Sequence, residues 1–338
     1  MTAPVSRDSW QYRAMNASLK GGFSYISEAL VELVADGYPI IAGSADLKFS
    51  NGLDKFAARH PDRFVQFGIS EQNMVTVAAG IATTGHIPFV ATFASFLGLL
   101  CCEQIRMDVA YCGQRVRLIG HHTGISLGFY GTSHHATEDI STMRAIADLT
   151  IISPADGPQL GAAIKASAKW PQPIYFRIGR GREPEVYGKD VIFTIGAAIE
   201  HMTGEELTII ACGLPVHPSL AAARKLNSEG RSVGVIDMAT IKPLDRSAVV
   251  RAAARSKILM TVEEHNILGG LGSAVAEVLA DEGCGIKLVR HGIYDEFSLI
   301  GPPAHLYAHY RLDAPGIEEM ARLALANVGA TPRTAATG

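Results

Sequence analysis

Two successive α/β domains are predicted by three features of this 338-residue sequence. Short apolar runs alternate with amphipathic segments along most of the chain, which is typical of doubly wound domains with mostly parallel sheets. A polar, proline-containing stretch at 181–190 interrupts the alternation and is interpreted as a linker. The length suits two domains of ordinary size, and an apolar fraction of 48% is sufficient for two cores.

The first domain is predicted over residues 15–182, after flexible residues 1–14. Its strands are predicted at 39–47, 63–69, 87–93, 115–122, 149–155 and 173–179. Its helices are predicted at 24–37, at 70–85, from the third strand to about Cys112, and at 157–170. Ser70 stands where a serine side chain caps the start of the second helix.

The second, smaller domain is predicted over residues 191–328, before a flexible tail at 329–338. Its strands are predicted at 206–213, 231–238, 257–264 and 286–292. Its helices are predicted to end near Gly230, to begin at Asp245 and to begin at Gly272. Strands and helices again alternate, so this domain is also predicted to be doubly wound.

Charge and cysteine content indicate a cytoplasmic protein without nucleic-acid or membrane partners. The net charge is -3 and the pI is near 6.5, so no basic face for nucleic acid is expected. Five scattered cysteines without paired metal spacing fit a reducing compartment. Residues 1–16 lack the apolar centre of a signal peptide, and the most apolar run, 87–102, is shorter than a membrane span.

Three polar stretches at the ends of predicted strands are candidates for a functional site. They are SADLKFSN (44–51), GISEQNM (68–74) and HHTGISLGFYGTSHH (121–135). Ligands of open parallel sheets bind beyond the carboxyl ends of the strands. The three stretches are therefore expected to line one site.

Glu71 stands at the junction between an apolar strand and a helix rich in alanine and glycine. The helix dipole alone also explains an acidic residue in a first helical turn. The flanking strands and the helix are predicted to be buried, and a buried carboxylate is costly unless it has a partner or a chemical role. A functional role for Glu71 is therefore favoured.

Four histidines, His121, His122, His134 and His135, share one predicted loop. Their spacing matches no usual set of metal ligands, and a solvated polar loop is the simplest alternative. We favour a site that contacts a polar or anionic substrate and transfers protons. No residue is assigned as a metal ligand.

Phe93 and Phe96 lie three residues apart in TFASF. Core packing is the commoner explanation of such a pair. The functional alternative is an aromatic platform for a flat ring.

Several motifs, taken in order, resemble the C-terminal half of transketolases. The motifs are GSADL, GISEQNM, TFASFLGLLCCEQIRMDVA, GTSHH, SPADG, YFRIGRGR, IDMATIKPLD, VEEHNILGGLGSAVAEVLA and GIYDEF. The resemblance covers about residues 15–328. It implies a thiamine-diphosphate-binding fold of the pyrimidine type, followed by a fold like the transketolase C-terminal domain.

On the cofactor side, the resemblance implies that the first domain grips the aminopyrimidine ring of thiamine diphosphate. Glu71 matches the glutamate that faces the pyrimidine N1′ and favours the imino tautomer, whose nitrogen removes the thiazolium C2 proton. Phe96, and with it Phe93, matches the aromatic residues that hold this ring. Asp46 matches an aspartate near the reacting centre.

On the substrate side, His122 and His134 match two histidines of the family. The first is implied to hold the substrate and its anionic end, and the second to handle protons at the carbonyl carbon. Arg180 matches an arginine that binds the sugar phosphate, a role suited to its fork of donors, and Ser50 matches a serine of the same pocket.

Two substrate-side positions depart from the family pattern. Phe23 or a near neighbour falls where the family usually has another phosphate-binding arginine. Tyr130 falls where many transketolases have an aspartate that reads a substrate hydroxyl. A branched, shortened or sulfonated sugar phosphate analogue is therefore kept as a substrate alternative.

The diphosphate of the cofactor is expected to be bound by another chain. Transketolases hold it through Mg²⁺ with a Gly-Asp-Gly triplet and later asparagines, whereas the Asp-Gly pairs at 36–37 and 156–157 lack the first glycine. The resemblance therefore implies the second subunit of a split transketolase, inactive without an N-terminal-type partner. An α2β2 heterotetramer is expected.

The implied reaction moves a two-carbon ketol unit from a ketose, phosphorylated in the usual case, to an aldose. Alternatives within the superfamily are a 2-oxoacid dehydrogenase β-subunit and a deoxyxylulose-phosphate synthase. GSADL and the loop histidines favour transketolase over both. A non-catalytic partner subunit is the alternative from another class, and the joint presence of Glu71, His122, His134 and Arg180 disfavours it.

Overall fold

The computed structural model of this chain describes residues 21–326. The predicted flexible ends and the outermost residues of both predicted domains lie outside this range. The described strands are β1 (Ile40–Ser44), β2 (Phe64–Gln66), β3 (Ile87–Phe93), β4 (Arg117–His121), β5 (Thr150–Ile152), β6 (Ile174–Arg177), β7 (Ile199–Met202), β8 (Leu207–Ala211), β9 (Val233–Asp237), β10 (Thr240–Lys242), β11 (Ile258–Asn266) and β12 (Lys287–Ile293).

The helices connect these strands. They are α1 (Ser24–Ala35), α2 (Asp54–Arg59), α3 (Glu71–Thr83), α4 (Cys102–Gln104), α5 (Asp139–Arg144), α6 (Gly157–Ser167), α7 (Val216–Ser228), α8 (Arg246–Arg255), α9 (Leu271–Asp281), α10 (Pro303–His309) and α11 (Ala314–Ala326). π-Helical turns over Phe96–Leu100 and Ile105–Tyr111 flank α4. Among residues 21–326, no helix combines the length and apolar content needed to cross a bilayer.

The first sheet has seven strands in the order β10–β5–β6–β4–β3–β1–β2. All neighbours are parallel except β10, which joins β5 in the antiparallel direction. Successive residues of a strand point to opposite faces. On β3, Phe89 packs in the cluster that includes α1 and α6, whereas Val90 packs in the cluster that includes α3. Helices therefore cover both faces of the sheet.

The second sheet has five strands in the order β12–β11–β8–β9–β7, with β7 antiparallel to β9. Leu220 of α7 and Ile317 of α11 pack in the cluster on one face. Val249 of α8 and Val275 of α9 pack in a cluster that also contains Met74 of α3. One apolar core therefore runs from the first sheet to the second.

The two doubly wound α/β domains predicted from the sequence are confirmed, two local predictions are corrected, and two strands were missed. Ser70 lies at the N-cap of α3 but its side chain makes no capping hydrogen bond, since its backbone ψ is 60°. Strand β2 is an edge strand whose Val65 and Gln66 are exposed, so one strand flanking Glu71 is not buried. The antiparallel edge strands β7 and β10 were not predicted, because each is only three or four residues long.

Candidate active site

The three candidate stretches follow β1, β2 and β4, whose carboxyl ends lie along one edge of the first sheet. In this sheet β1 lies between β2 and β3, and β3 lies between β1 and β4. This order places the loop after β4 beside the residues that follow β3. The predicted common site is therefore built around the carboxyl ends of neighbouring strands.

Glu71 is the first residue of α3, and its side chain is 7% exposed. The Thr92 hydroxyl donates a long hydrogen bond of 3.5 Å to Glu71 Oε1. Among residues 21–326, no basic side chain forms a salt bridge with it. Burial, and secondarily the charge of Glu71, raises the pKa of the neighbouring Cys101 thiol to about 12, so this thiol stays protonated. The Glu71 carboxylate is thus buried without a cationic partner from the described chain.

Phe93 and Phe96 form an edge-to-face pair at the end of β3, with ring centroids 5.5 Å apart and planes at 90°. Both rings are half-buried, which differs from a pure core pair. The ring of His134 lies 5.3 Å from Phe93 and 5.4 Å from Phe96. The predicted aromatic platform and one predicted histidine therefore meet.

His122 also packs against Phe93, with ring centroids 5.3 Å apart. Its backbone N–H donates to the carbonyl of Gly179 at 2.8 Å, which brings it beside Arg180. Burial, followed by the positive charges of Arg180 and Arg182, lowers the pKa of His122 to about 4. His122 is therefore a neutral imidazole at physiological pH.

Arg180 is half-buried near His122 and has no salt bridge within residues 21–326. Burial and the nearby Arg182 lower its pKa from the ordinary value. Glu183 does not pair with the guanidinium, because its Oε1 accepts the backbone N–H groups of Arg180 at 2.5 Å and Gly181 at 3.0 Å. This arrangement leaves a positive charge available for an anionic ligand.

Phe23 occupies the space beside the histidines, with its ring centroid 5.5 Å from that of His122 and 5.9 Å from that of His121. Gly181 makes this contact feasible, since a Cβ on this residue would lie 2.7 Å from the Phe23 ring. Gly181 also has a φ of 75°, a conformation that favours glycine. The Phe23 ring thus packs against the backbone directly after Arg180.

Tyr130 lies at the outer rim of the cluster. Its side chain is 62% exposed, and its ring centroid is 5.0 Å from that of His134. Asp46 and Ser50 are exposed, and no hydrogen bond within residues 21–326 joins either side chain to the cluster. The structure therefore brings together Phe93, Phe96, His122, His134 and Tyr130, whereas the roles of Asp46 and Ser50 stay predictions.

The histidine loop is fixed by residues of the second domain that the sequence did not single out. Gly124 and Ala136 pair backbone to backbone and close the loop at 3.0 Å in both directions. Glu264 Oε1 accepts the Ile125 N–H at 2.8 Å and the Tyr307 hydroxyl at 2.7 Å. A Cβ at Gly124 would lie 2.2 Å from the Glu264 carboxyl carbon, so the loop needs glycine there.

Two further contacts hold this loop. His135 Nδ1 and the Ser298 hydroxyl lie 2.5 Å apart. At the base, Arg177 donates to the carbonyl groups of Ala136 at 3.1 Å and Glu264 at 2.8 Å. Arg177 also pairs with Asp139 at 3.0 Å, and both side chains are almost fully buried. Of these loop partners, only Glu264 could have been noticed in the sequence, as one of the two glutamates in VEEH. The other partners are brought to the loop by tertiary contacts.

Metal binding by the described chain has no support in this geometry. Within residues 21–326, no group of three or more His, Cys, Asp or Glu side chains is arranged to hold a metal ion. The loop histidines instead pair with each other, with aromatic rings and with hydroxyl groups.

Comparison with known families identifies both domains. Residues 23–184 match the transketolase pyrimidine-binding domain, and residues 196–317 match the transketolase C-terminal domain. This chain belongs to the transketolase family. The family resemblance predicted from the motifs is thereby confirmed.

Individual transketolases show how far the similarity extends. A protein of Methanocaldococcus jannaschii described as a transketolase C-terminal section is 38% identical over 88% of this chain and 94% of its own length. One of the subunits of the apulose-4-phosphate transketolase of Phocaeicola vulgatus is 36% identical over 86% of this chain and 93% of its own. A solved structure described as a split-gene transketolase in an inactive β4 tetramer has a TM-score of 0.84 and 38% identity. It covers 90% of this chain and 98% of its own.

Proposed function

We propose that this transketolase chain is the cofactor-activating subunit of a two-chain enzyme that moves a two-carbon ketol unit from a phosphorylated ketose to an aldose. The observation that carries the proposal is the buried Glu71 carboxylate, which has no basic partner within residues 21–326. Glu71 accepts a hydrogen bond from Thr92, and the next residue after Thr92 is the half-buried Phe93. A carboxylate next to an aromatic platform suits a heteroaromatic ring that bears a nitrogen.

Thiamine diphosphate fits these residues. Glu71 would face the pyrimidine nitrogen N1′ and share a proton with it, because the dry setting favours such sharing over solvation of the carboxylate. Phe93 and Phe96 would hold the ring through their half-exposed faces. The cofactor, when bound, supplies the nucleophilic carbon for cleaving and forming the carbon–carbon bond.

The remaining residues act on the substrate. His134, which touches both platform rings, would move a proton at the carbonyl oxygen of the sugar. His122 is neutral and would bind a substrate oxygen, while Arg180 would bind the anionic end by paired N–H donors. A sugar phosphate is supported by the relative whose name specifies apulose 4-phosphate.

A partner chain is part of the proposal. The name of one relative specifies a single subunit of a transketolase, and the solved β4 tetramer is described as split-gene and inactive. We infer that Mg²⁺ and the diphosphate are bound by a second type of chain, and that the active assembly is a heterotetramer. His122 and Arg180 would then line a site completed by the partner.

Substituting Glu71→Gln tests the function in the assembled complex. We expect ketol transfer to fall about 100-fold or more, because an amide cannot share a proton with the pyrimidine nitrogen. The measurement is single-turnover and steady-state transfer between sugar phosphates after reconstitution with the partner. The control is Glu32→Gln, an exposed glutamate on α1, which should leave the rate unchanged. Full activity of the Glu71→Gln complex would contradict the proposal.

The deoxyxylulose-phosphate synthase and 2-oxoacid dehydrogenase alternatives predict a different donor. Both classes decarboxylate a 2-oxoacid, so release of carbon dioxide from pyruvate by the complex would favour them. The positive charge at Arg180 suits a phosphorylated substrate in either case, whereas His122 and His134 beside the aromatic platform favour a ketose donor. Pyruvate should therefore give no carbon dioxide.

A further inference from the structure

His121 is a buried histidine that the proposed reaction does not use. It is the last residue of β4, and its side chain is fully buried. The rings of Phe93 and Phe23 lie 4.9 Å and 5.9 Å from its own. Within residues 21–326, the ring of His121 has one hydrogen-bond partner, which is His122.

The two imidazoles are joined through their Nδ1 atoms, which lie 2.6 Å apart. A hydrogen bond at this distance needs a proton on one Nδ1 and a lone pair on the other. Burial lowers the pKa of both rings, so neither is expected to be cationic near neutral pH. The charged groups that face His122 are Arg180 and Arg182, which oppose a proton further.

The other nitrogen of His121 decides which ring is the donor. His121 Nε2 is buried and has no hydrogen-bond partner within residues 21–326. A buried N–H group without a partner is rarer in proteins than an acceptor without one. The proton of His121 is therefore on Nδ1, and Nε2 carries the unused lone pair. His122 must then accept at Nδ1 and carry its own proton on Nε2.

We propose that His121 is a positioning residue that fixes His122 as the Nε2–H tautomer and aims this N–H at an oxygen of the substrate. The residue His122 is 7% exposed, and Nε2 is the nitrogen that its ring can offer to a ligand. A neutral donor beside Arg180 suits an anionic oxygen. The use of this donor rests on the proposed function, whereas the tautomer of His122 does not.

Nitrogen-15 NMR of the full chain with labelled histidine tests the tautomer directly, because protonated and unprotonated ring nitrogens give separate signals. We expect a protonated Nε2 in His122 and a protonated Nδ1 in His121 at pH 7. His121→Asn should retain the His122 pattern, since the asparagine amide donates from nearly the same position. His121→Asp should move the His122 proton to Nδ1 or charge the ring, because a carboxylate only accepts.

Matched variants separate this role from a structural one. His135→Asn alters another buried loop histidine, paired with Ser298, and should leave the His122 signals unchanged. A protonated Nδ1 on His122 in the unmodified chain would overturn the proposal without any variant. Titration with inorganic phosphate of the complex reconstituted with the partner chain should shift the His122 Nε2–H signal. A protonated Nε2 that phosphate fails to shift would support the tautomer and refute its use as an anion donor.

Discussion

At the scale of single residues, the site is a set of imidazole rings packed against aromatic side chains. Phe93 contacts both His122 and His134, with centroid distances of 5.3 Å to each. The ring of Phe23 also packs against His122, at 5.5 Å. Because such rings exclude water, the polar atoms that they leave free keep a strong preference for a polar ligand.

Tyr130→Asp is expected to move substrate preference toward ordinary pentulose and hexulose phosphates. Tyr130 lies at the open rim against His134, where a carboxylate would accept a hydrogen bond from a sugar hydroxyl. The measurement is the ratio of kcat/KM values across a panel of sugar phosphates, with a shift of about tenfold as the expected size. Phe129→Asp, also exposed but without this histidine contact among the described rings, is the control. Unchanged ratios for Tyr130→Asp would contradict the assignment.

Several of these residues could be found from the sequence because their chemistry is local. Glu71 at a strand-to-helix junction, the aromatic pair and the clustered histidines all follow from short motifs. The pairing of His121 with His122 could not be predicted from the sequence, since adjacent residues of a strand point to opposite faces. His122 has a φ of 58°, and this left-handed turn returns its ring to the side of His121.

At the scale of elements, the second domain contributes to the site by holding a loop of the first. Glu264 lies at the end of β11 and binds both the Ile125 N–H and the Tyr307 hydroxyl. Burial raises the pKa of Glu264 to about 7, although these two donors and Arg177 oppose the shift. The order of the histidine loop therefore depends in part on this contact between domains.

Tyr307→Phe should loosen the histidine loop without unfolding the chain. Loss of the hydroxyl removes one of two hydrogen bonds to Glu264 Oε1, and a bond to a charged group contributes about 1.5–3 kcal/mol. We expect amide hydrogen exchange in peptides covering 122–136 to become about tenfold faster or more. The measurement is hydrogen exchange followed by mass spectrometry.

Tyr187→Phe is the control for this experiment. Tyr187 is half-buried and also donates its hydroxyl to a carboxylate, that of Asp237, at 2.6 Å. This contact lies outside the histidine loop, so exchange at 122–136 should stay as in the unmodified chain. Equal acceleration by both variants would indicate a general loss of stability instead of a specific hold on the loop.

Long elements could be predicted from the sequence, whereas short edge elements could not. The buried strands β3 and β4 and the helix α1 follow from continuous apolar runs or helical spacing. Strand β10 has three residues and depends on its pairing with β5, a contact far away in sequence. The π-helical turns around α4 could not be predicted either. The segment begins with a uniformly apolar run, which carries no local signal for such turns, so packing decides where they form.

At the scale of the whole molecule, the junction between domains is built from buried polar contacts. Asp237, at the end of β9, accepts from Gln159 of α6 at 2.7 Å and from Tyr187 of the linker at 2.6 Å. Asp156 accepts two backbone N–H groups of the same linker, those of Val186 and Tyr187. The linker is therefore fixed by a carboxylate from each domain.

Asp237→Asn should change how stability depends on pH. Burial raises the pKa of Asp237 to about 7, so the folded chain keeps a proton that the unfolded chain releases between pH 4 and 7. This contribution is present at low pH and is lost as pH rises through 7. The unmodified chain should gain stability relative to the variant on acidification from pH 8 to 5, on the order of 1 kcal/mol per pH unit. Parallel pH profiles from thermal or urea unfolding would contradict this, and Asp62→Asn serves as an exposed control.

Cofactor binding should require the partner chain. Thiamine diphosphate with Mg²⁺, titrated by calorimetry into the isolated chain, is expected to give no detectable heat of binding. The reason is that no metal-binding cluster exists within residues 21–326, while under the proposed function Glu71 and the aromatic rings would contact only the pyrimidine half. Adding the partner should restore binding. Tight stoichiometric binding to this chain alone would contradict the two-chain assignment.

The strand β10 has a consequence for synthesis of the protein. It pairs through Thr240 and Lys242 with β5. All elements from α6 to β9, including the linker between the domains, lie between these two strands in the sequence. During translation, the edge of β5 stays uncovered until this later segment has left the ribosome. Exposed strand edges pair readily with other chains. The nascent chain therefore passes through an interval in which the cell's chaperones have a specific edge to shield.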